Sequence, residues 1–490
     1  MSILDSFEEK EWNKFEDFLR SPFFDVKSQA QVIDIYLVIK NHYAEKENTF
    51  PNDNQLWNVL KQKDTLNTNY LTNLLYELNT QAKRFLAYSY YESTSSYLFN
   101  NLRIHSQLAL PKIFKRFHDK LVKRASKKAV KNETEYFENY LWKKEVDIFY
   151  GKTDRKFDRI SHLQEMTTDL DYSYLIGKLK QYCILLSKVK EKNELQGFTL
   201  FKKYLADYMT QFELNAASTP PLLQVYLQML KTIEEKTFAN IAELRELFFA
   251  YGDAMEERDK SNVRQTIINL YTQQINKGIF LYRQELFDYY KKLDSENLLT
   301  NRKNEIQYLN YQNAVLNAFE LSAANEAQKT IYLQWADKFI RKCKKRIYPH
   351  QYAENAYNFA TGSLLFQQKK WAEAEDIADK LTSDPKNPYY SLRGYVLCIR
   401  SLYELKNNSE RLEFKRKSLY NYARRKSLKS HTKEHFKEFA IIIKQFIQLK
   451  TKNLEEPVYK KLKKEIEEKK KLLHRNWLLE KLEEASNKSQ

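Results

Sequence analysis

The run Tyr357-Asn358-Phe359-Ala360-Thr361-Gly362, followed by Trp371, Ala374 and Ala378 and then by Asp384-Pro385, decides the fold of this chain. A lone glycine inside a helical apolar pattern marks a place where another backbone comes close, not a loop. Trp371 opens a second helix. Ala374 and Ala378, four residues apart, keep one face of that helix small. Asp384-Pro385 ends it, because the residue before proline is pushed out of the helical region. The stretch reads as two antiparallel helices meeting through Gly362 and Ala374, with Pro385 as the stop. Tyr389–Leu405 and Arg411–Arg425 continue the rhythm with poorer matches, and upstream pairs are more degenerate.

Working outward, the same grammar covers the whole chain. Apolar residues recur three and four apart at Phe15, Phe18 and Leu19, at Val32, Ile35, Tyr36, Ile39 and Tyr43, and at Leu71, Leu74, Leu75, Leu78, Phe85 and Leu86. Ser6 with Glu9 reads as a capping box, and Ser21-Pro22 ends the first helix. Several breaks are about 30 to 45 residues apart, the length of a two-helix unit. No period-two alternation bounded by turn residues occurs, so no sheet is expected. The chain holds only 7 glycines in 490 residues, where average usage of about 7% gives roughly thirty-four. All are single: Gly151 reads as a helix cap and Gly362 as a close helix contact. None builds a loop that lets backbone approach a phosphate. Folds that depend on such loops, and with them nucleotide-driven enzymes, are set aside.

These residues resemble a tetratricopeptide unit, in which a small residue on the first helix admits the second and a proline closes the pair. Gly362, Trp371, Ala374 and Pro385 fit those roles, with the proline one residue early. The opening Glu11-Trp12-Asn13-Lys14-Phe15-Glu16-Asp17-Phe18-Leu19-Arg20-Ser21-Pro22-Phe23-Phe24 resembles the start of a group of uncharacterised helical-repeat proteins from Bacteroidota. Tyr389-Tyr390-Ser391-Leu392 through Tyr422-Ala423-Arg424-Arg425-Lys426 resembles their close. The resemblance implies a fold and no activity. The expected architecture is all-α, an α-solenoid of antiparallel helix pairs with degenerate tetratricopeptide-like repeats. Its expected parts are a capping segment over 1–110, degenerate repeats over 111–350, clearer repeats over 351–455, and a charged, solvated helix and tail over 456–490.

The net charge is +18, from 82 Lys+Arg against 64 Asp+Glu. An excess of that size favours an acidic partner: an acidic protein face, nucleic acid or a membrane surface. Lys112, Lys115, Arg116, Lys120, Lys123, Arg124, Lys127, Lys128 and Lys131 stand against Asp119 alone. Most steps are three or four residues, so much of the set forms a stripe on one helix side, with Phe114, Phe117, Leu121 and Ala125 facing inward. A second set, Arg411, Lys415, Arg416, Lys417, Arg424, Arg425, Lys426, Lys429 and Lys433, meets one acid, Glu413. A third runs from Lys338 to Arg346. Such a stripe suits a phosphate backbone, with Tyr420 and Tyr422 available to stack on bases. A solvated face that keeps an aromatic-rich protein in solution is the competing reading.

Three constellations bear on chemistry. Gly151-Lys152-Thr153 ends like a phosphate-binding loop but lacks the earlier glycine, since Val146 stands there. His431-Thr432-Lys433-Glu434-His435 has the H-x-x-E-H order of inverted zinc peptidases, which would make His431 and His435 ligands and Glu434 the base. No third ligand stands out, and Lys426, Lys429, Lys433 and Lys437 repel a dication. A polar first helical turn after Ser430 accounts for it better. Cys343 lies among Arg341, Lys342, Lys344, Lys345 and Arg346, a setting that lowers a thiol pKa. A buried helix-face cysteine is the simpler reading.

The three cysteines, Cys183, Cys343 and Cys398, form no CxxC and suit a reducing compartment. Met1-Ser2-Ile3-Leu4-Asp5 has no basic segment before an apolar core, so no signal peptide is expected. No apolar run approaches the roughly 20 residues of a membrane span. The expectation is a cytoplasmic, non-catalytic scaffold without cofactor or metal that takes a protein or peptide partner on an extended surface. The first alternative is an RNA- or ribosome-associated repeat protein using the basic stripes. The weakest is a zinc peptidase.

Overall fold

The computed structural model describes residues 3–22, 28–45, 50–60, 66–154, 156–188, 201, 205, 210, 219–301, 303–383, 387–405, 408–424, 430–451, 456–469 and 472–487. The chain is all-α, with 21 α-helices among these residues. It divides into two compact units, Met1–Leu185 with Val189–Tyr226, and Leu186–Lys188 with Leu227–Gln490. The division falls beside the Pro220-Pro221 break, inside the expected 111–350 segment.

The first unit contains α1 (Glu9–Arg20), α2 (Gln29–Glu45), α3 (Asp53–Val59), α4 (Thr68–Ser93), α5 (Ser95–Gln107), α6 (Pro111–Ser126), α7 (Glu133–Thr153) and most of α8 (Arg159–Lys188). Its N-terminal core gathers the apolar positions of α1, α2 and α4 around Phe15. The Phe15 ring meets those of Phe7, Tyr36 and Phe85 at centroid distances of 5.3, 5.1 and 5.2 Å. Edge-on and tilted aromatic pairs of this kind add about 0.5–1.5 kcal/mol each beyond area burial. A second core gathers Leu102, Phe114, Leu121, Trp142, Val146 and Phe149. Phe114 stacks on Phe149 at 3.9 Å.

The second unit follows from α9 (Pro221–Glu235), whose first residues belong to the first unit. It holds α10 (Phe238–Tyr251), α11 (Glu257–Asn276), α12 (Leu281–Ser295), α13 (Tyr308–Ala324), α14 (Lys329–Cys343), α15 (His350–Gln367), α16 (Trp371–Thr382), α17 (Pro388–Glu404), α18 (Ser409–Arg424), α19 (Ser430–Thr451), α20 (Glu456–Glu468) and α21 (Arg475–Asn487). From α10 to α19 every helix packs against the next. In addition α13 touches α15, and α15 touches α17. The close approach read from sequence lies here. A Cβ on Gly362 would meet Leu397 Cδ2 at 3.0 Å and Ile377 Cγ2 at 3.3 Å, with the Ala374 carbonyl oxygen 3.6 Å away. Ala374 and Ala378 are fully buried. Gly394 makes a tighter approach still. Its Cβ would stand 2.7 Å from Leu381 Cβ and 2.9 Å from the Ala378 carbonyl oxygen, so α17 lies against the α16 backbone.

Several expectations are corrected. Ile306–Gln307 and Ile347–Tyr348 form a two-residue parallel pair, Ile306 opposite Ile347. A pair so short leaves no alternation in the sequence. The first capping box is Glu8 with Glu11, whose carboxylate accepts from the Glu8 N–H at 2.8 Å. Ser6 instead closes a short turn, its hydroxyl donating to the Ile3 carbonyl at 2.6 Å. Gly151 is not a cap. It lies within the last turn of α7, which runs on to Asp154, and the Arg159 guanidinium lies 3.7 Å from where its Cβ would be. Arg159 grips Asp147 with two bonds of 2.9 and 3.0 Å. The 456–490 segment is two helices with an interior face, since Leu462, Ile466, Leu472, Trp477, Leu478 and Leu482 are buried.

Helix ends explain why so few glycines suffice. Ala109, Lys236, Asn297 and Lys369, each within two residues after a helix, take positive φ between 52° and 62°. That conformation ends helices and usually calls for glycine. At Lys369 the backbone closes α15 by bonds from Lys369 N to Phe366 O at 3.0 Å and from Lys370 N to Leu365 O at 2.9 Å.

Candidate anion-binding cavity in the second unit

A cavity of about 1060 Å³ opens in the second unit. Its walls come from alternate helices. α13 supplies Phe319 and Glu320, α15 supplies Phe359, Ser363 and Phe366, α17 supplies Arg393, Arg400 and Glu404, and α19 supplies His435 and Phe436. The helices between contribute little: Lys329 and Trp371 are the first residues of α14 and α16. The segment from Leu473 into α21 completes the wall with His474, Trp477 and Lys481.

Arg393 and Arg400 are seven residues apart on α17, so they project from one side of it. Their neighbours on that helix, Tyr390, Leu392, Gly394 and Val396 through Tyr403, are buried. Arg393 lies over the rings of Tyr389 and Phe359 at 4.3 and 5.1 Å. The Gln312 amide oxygen, turned towards it, accepts from its guanidinium. Arg400 is only 9% exposed and lies over Phe366 at 4.1 Å and Trp477 at 5.2 Å. Its buried Nε has no hydrogen-bond partner among the described residues. Burial pushes Arg400 down to about 10, and burial also lowers Arg393. His474 turns its open surface to the cavity. Desolvation inside the cavity, with Arg400 and Arg393 adding, holds it well below the usual imidazole range.

The carboxylates around the cavity are largely engaged elsewhere. Lys481 takes Glu484, Glu404 and Glu480 at 2.8, 3.2 and 3.5 Å. Glu404 also accepts from Trp477 Nε1 at 2.8 Å, and Glu326 pairs with Lys329 at 2.9 Å. Arg393 and Arg400 therefore face the cavity with no ion pair among the described residues. Glu320, Glu404 and Glu480 act on Arg400 only at a distance, and a desolvated cation without a direct ion pair is costly unless something anionic completes it.

The residues singled out from sequence are placed as follows. On α6 the side chains of Lys112, Lys115, Arg116, Lys120, Lys123 and Arg124 are exposed; beyond its end Lys127 and Lys128 are exposed and Lys131 is half-buried. Arg124 donates to the Ser93 carbonyl at 2.7 Å, and Lys128 pairs with Glu135. The second set is drawn into the fold. Arg411 meets Glu375 at 2.8 Å, Lys415 meets Asp379, and Arg416 meets Glu413 at 2.6 Å. Lys415 and Arg416 are buried, and Arg424 is exposed. Arg425, Lys426 and Lys429 lie outside the described residues, as does Pro385. In the third set Arg341 pairs with Asp337 and Lys342 with Asp294. Cys343 is buried, and burial pushes its thiol up to about 12, against the basic neighbours that would lower it.

Of the H-x-x-E-H segment, the His431 side chain lies outside the described residues. Glu434 pairs with Lys437 at 3.0 Å. His435 lines the cavity. Among the described residues no group of three His, Cys, Asp or Glu is placed to hold a metal, and no helix is long and apolar enough to cross a membrane.

The sequence reading missed Arg393, Arg400 and His474. One signal was available: two arginines seven apart in a helix that is otherwise apolar or small. Comparison with family profiles, with curated proteins and with solved structures found no match.

Proposed function

We propose that the chain is a non-catalytic helical-repeat scaffold that binds a protein or peptide partner in the cavity of its second unit. The observation that carries this reading is the origin of the walls. α13, α15, α17 and α19 are every second helix, which is how the inner helices of a stacked-pair solenoid line a groove. The volume lies at the upper end of the roughly 300–1,000 Å³ range of ligand sites, and aromatic and charged side chains are mixed around it. The close contacts at Gly362 and Gly394 support tetratricopeptide-like packing, in keeping with the resemblance of both ends to the Bacteroidota group. The buried free cysteines support a reducing, cytoplasmic setting. The test is capture from native lysate with and without nuclease. Nuclease-resistant protein partners support the scaffold; partners lost on nuclease treatment refute it.

A second reading has one observation of its own. Lys112, Lys115, Arg116, Lys123 and Lys127 are exposed and have no ion pair among the described residues, so α6 offers a stripe to phosphates. Each phosphate contact would lower log K by about 0.7–0.9 per decade of salt. A K115E/R116E/K123E/K127E variant with RNA affinity equal to wild type would remove this reading.

A further inference from the structure

We infer that the cavity of the second unit is a receptor for an acidic, apolar-flanked peptide segment, its carboxylates seated on Arg393 and Arg400. This deepens the scaffold reading and rests on it. Four observations converge on one wall. Arg400 is nine-tenths buried, aimed into the cavity, and its Nε has no hydrogen-bond partner among the described residues. Arg393, two turns earlier, faces the same space without a counterion. Phe366 and Trp477 hold Arg400 between them, fixing its guanidinium plane before any ligand arrives. His474 lines the same wall beside both.

The spacing suits a peptide. Seven helical residues rise about 10.5 Å. An extended chain advances about 3.3 Å per residue, so acids two to four positions apart span that interval. Guanidinium forks take carboxylates with paired hydrogen bonds. Half-buried Trp371 offers apolar surface for the residues between. The charge pattern argues against nucleic acid. Glu320, Glu404, Glu480 and Glu484 share the cavity and oppose any anion, so a ligand of few, discrete charges is favoured over a continuous phosphate backbone.

The experiment is titration calorimetry on the full chain. The probes are Ac-Asp-Phe-Glu-Phe-Asp-Phe-Glu-NH2, its lysine-for-acid analogue, glutarate and a twelve-residue oligothymidylate. The acidic peptide is expected to bind at one to one and the others at least tenfold more weakly. Arg393→Gln and Arg400→Gln are each expected to weaken it about tenfold or more, in line with a lost charge-assisted hydrogen bond. Glu480 and Glu484 are exposed and Lys481 keeps Glu404 at 3.2 Å, so E480Q/E484Q, its fold checked by circular dichroism, is expected to tighten binding severalfold. Equal binding of the lysine analogue overturns the proposal. So do glutarate or oligothymidylate binding as tightly as the peptide, an R393Q/R400Q variant that binds as wild type, or no tightening in E480Q/E484Q. If R393Q/R400Q captures the same nuclease-resistant partners as wild type, the cavity proposal fails while the scaffold stands.

Discussion

Replacing Gly394 by alanine adds one carbon where α17 lies on α16. The new Cβ would stand 2.7 Å from Leu381 Cβ and 2.9 Å from the Ala378 carbonyl oxygen, with Thr382 N at 3.2 Å. None of these atoms is the far end of a flexible side chain, so relief requires the two helices to part. Opening packed surfaces by about 0.5–1 Å forfeits a quarter to a half of the contact energy of each atom pair. Overpacking of this kind costs about 1–3 kcal/mol. The helix itself gains about 1 kcal/mol from losing a glycine. The expected net loss is therefore up to about 2 kcal/mol, confined to the second unit. Gly177, inside α8, is the control. Its Cβ would meet Glu133 side-chain carbons at an ordinary 3.8 Å, so Gly177→Ala is expected to gain about 0.5–1 kcal/mol. Two units need not unfold together, so the assay is native-state hydrogen exchange of α16 and α17 peptides against those of α7 and α8. A Gly394→Ala protein whose α16 and α17 amides exchange as slowly as wild type would refute the close-approach argument.

Phe15→Ala removes the ring at the centre of the N-terminal aromatic core and is expected to cost about 3–5 kcal/mol, read as faster exchange of α1, α2 and α4; a loss below about 1 kcal/mol would contradict that placement. Asp379→Ala strands buried Lys415. Because Asp379 is partly solvated, the expected loss is about 1–3 kcal/mol, below that of a fully buried pair. Lys415→Met in the same chain should recover at least half of it, and strictly additive losses in urea melts would deny the coupling. Thiol titration should find Cys183, Cys343 and Cys398 unreactive until denaturant is added. A raised pKa depletes the reactive thiolate, so Cys343, pushed up to about 12, has about one molecule in ten thousand ionised at pH 8. Rapid labelling of Cys343 in the folded protein would contradict its burial.

Fold class was legible because helical periodicity, caps and proline stops are local signals. The Gly362, Ala374 and Ala378 contact was legible because small residues at helical spacing have few other uses. Gly151 misled because a glycine followed by Lys-Thr looks like a helix end, whereas it lies inside the last turn of α7. The C-terminal segment misled because Lys and Glu outnumber its apolar residues, although Leu462, Ile466, Trp477, Leu478 and Leu482 are spaced to form one buried stripe. The basic sets were the harder case. Local acid counts left Arg411 and Lys415 unpaired, but Glu375 and Asp379 reach them from α16, more than thirty residues away. Conversely Arg393 and Arg400 attracted no notice because they are only two charges. Their character comes from burial and from a histidine brought from position 474, neither of which is local.

The central claim is that the cavity wall is where a partner sits. Photo-crosslinking tests it most directly, with p-benzoylphenylalanine placed at Gln367 in the cavity wall and, separately, at exposed Asp376 on α16, which does not line it. Irradiation in nuclease-treated native lysate is expected to give a protein adduct at Gln367 that the acidic peptide competes away, and none at Asp376. Adducts of equal yield from both positions, or none from Gln367, would contradict the account.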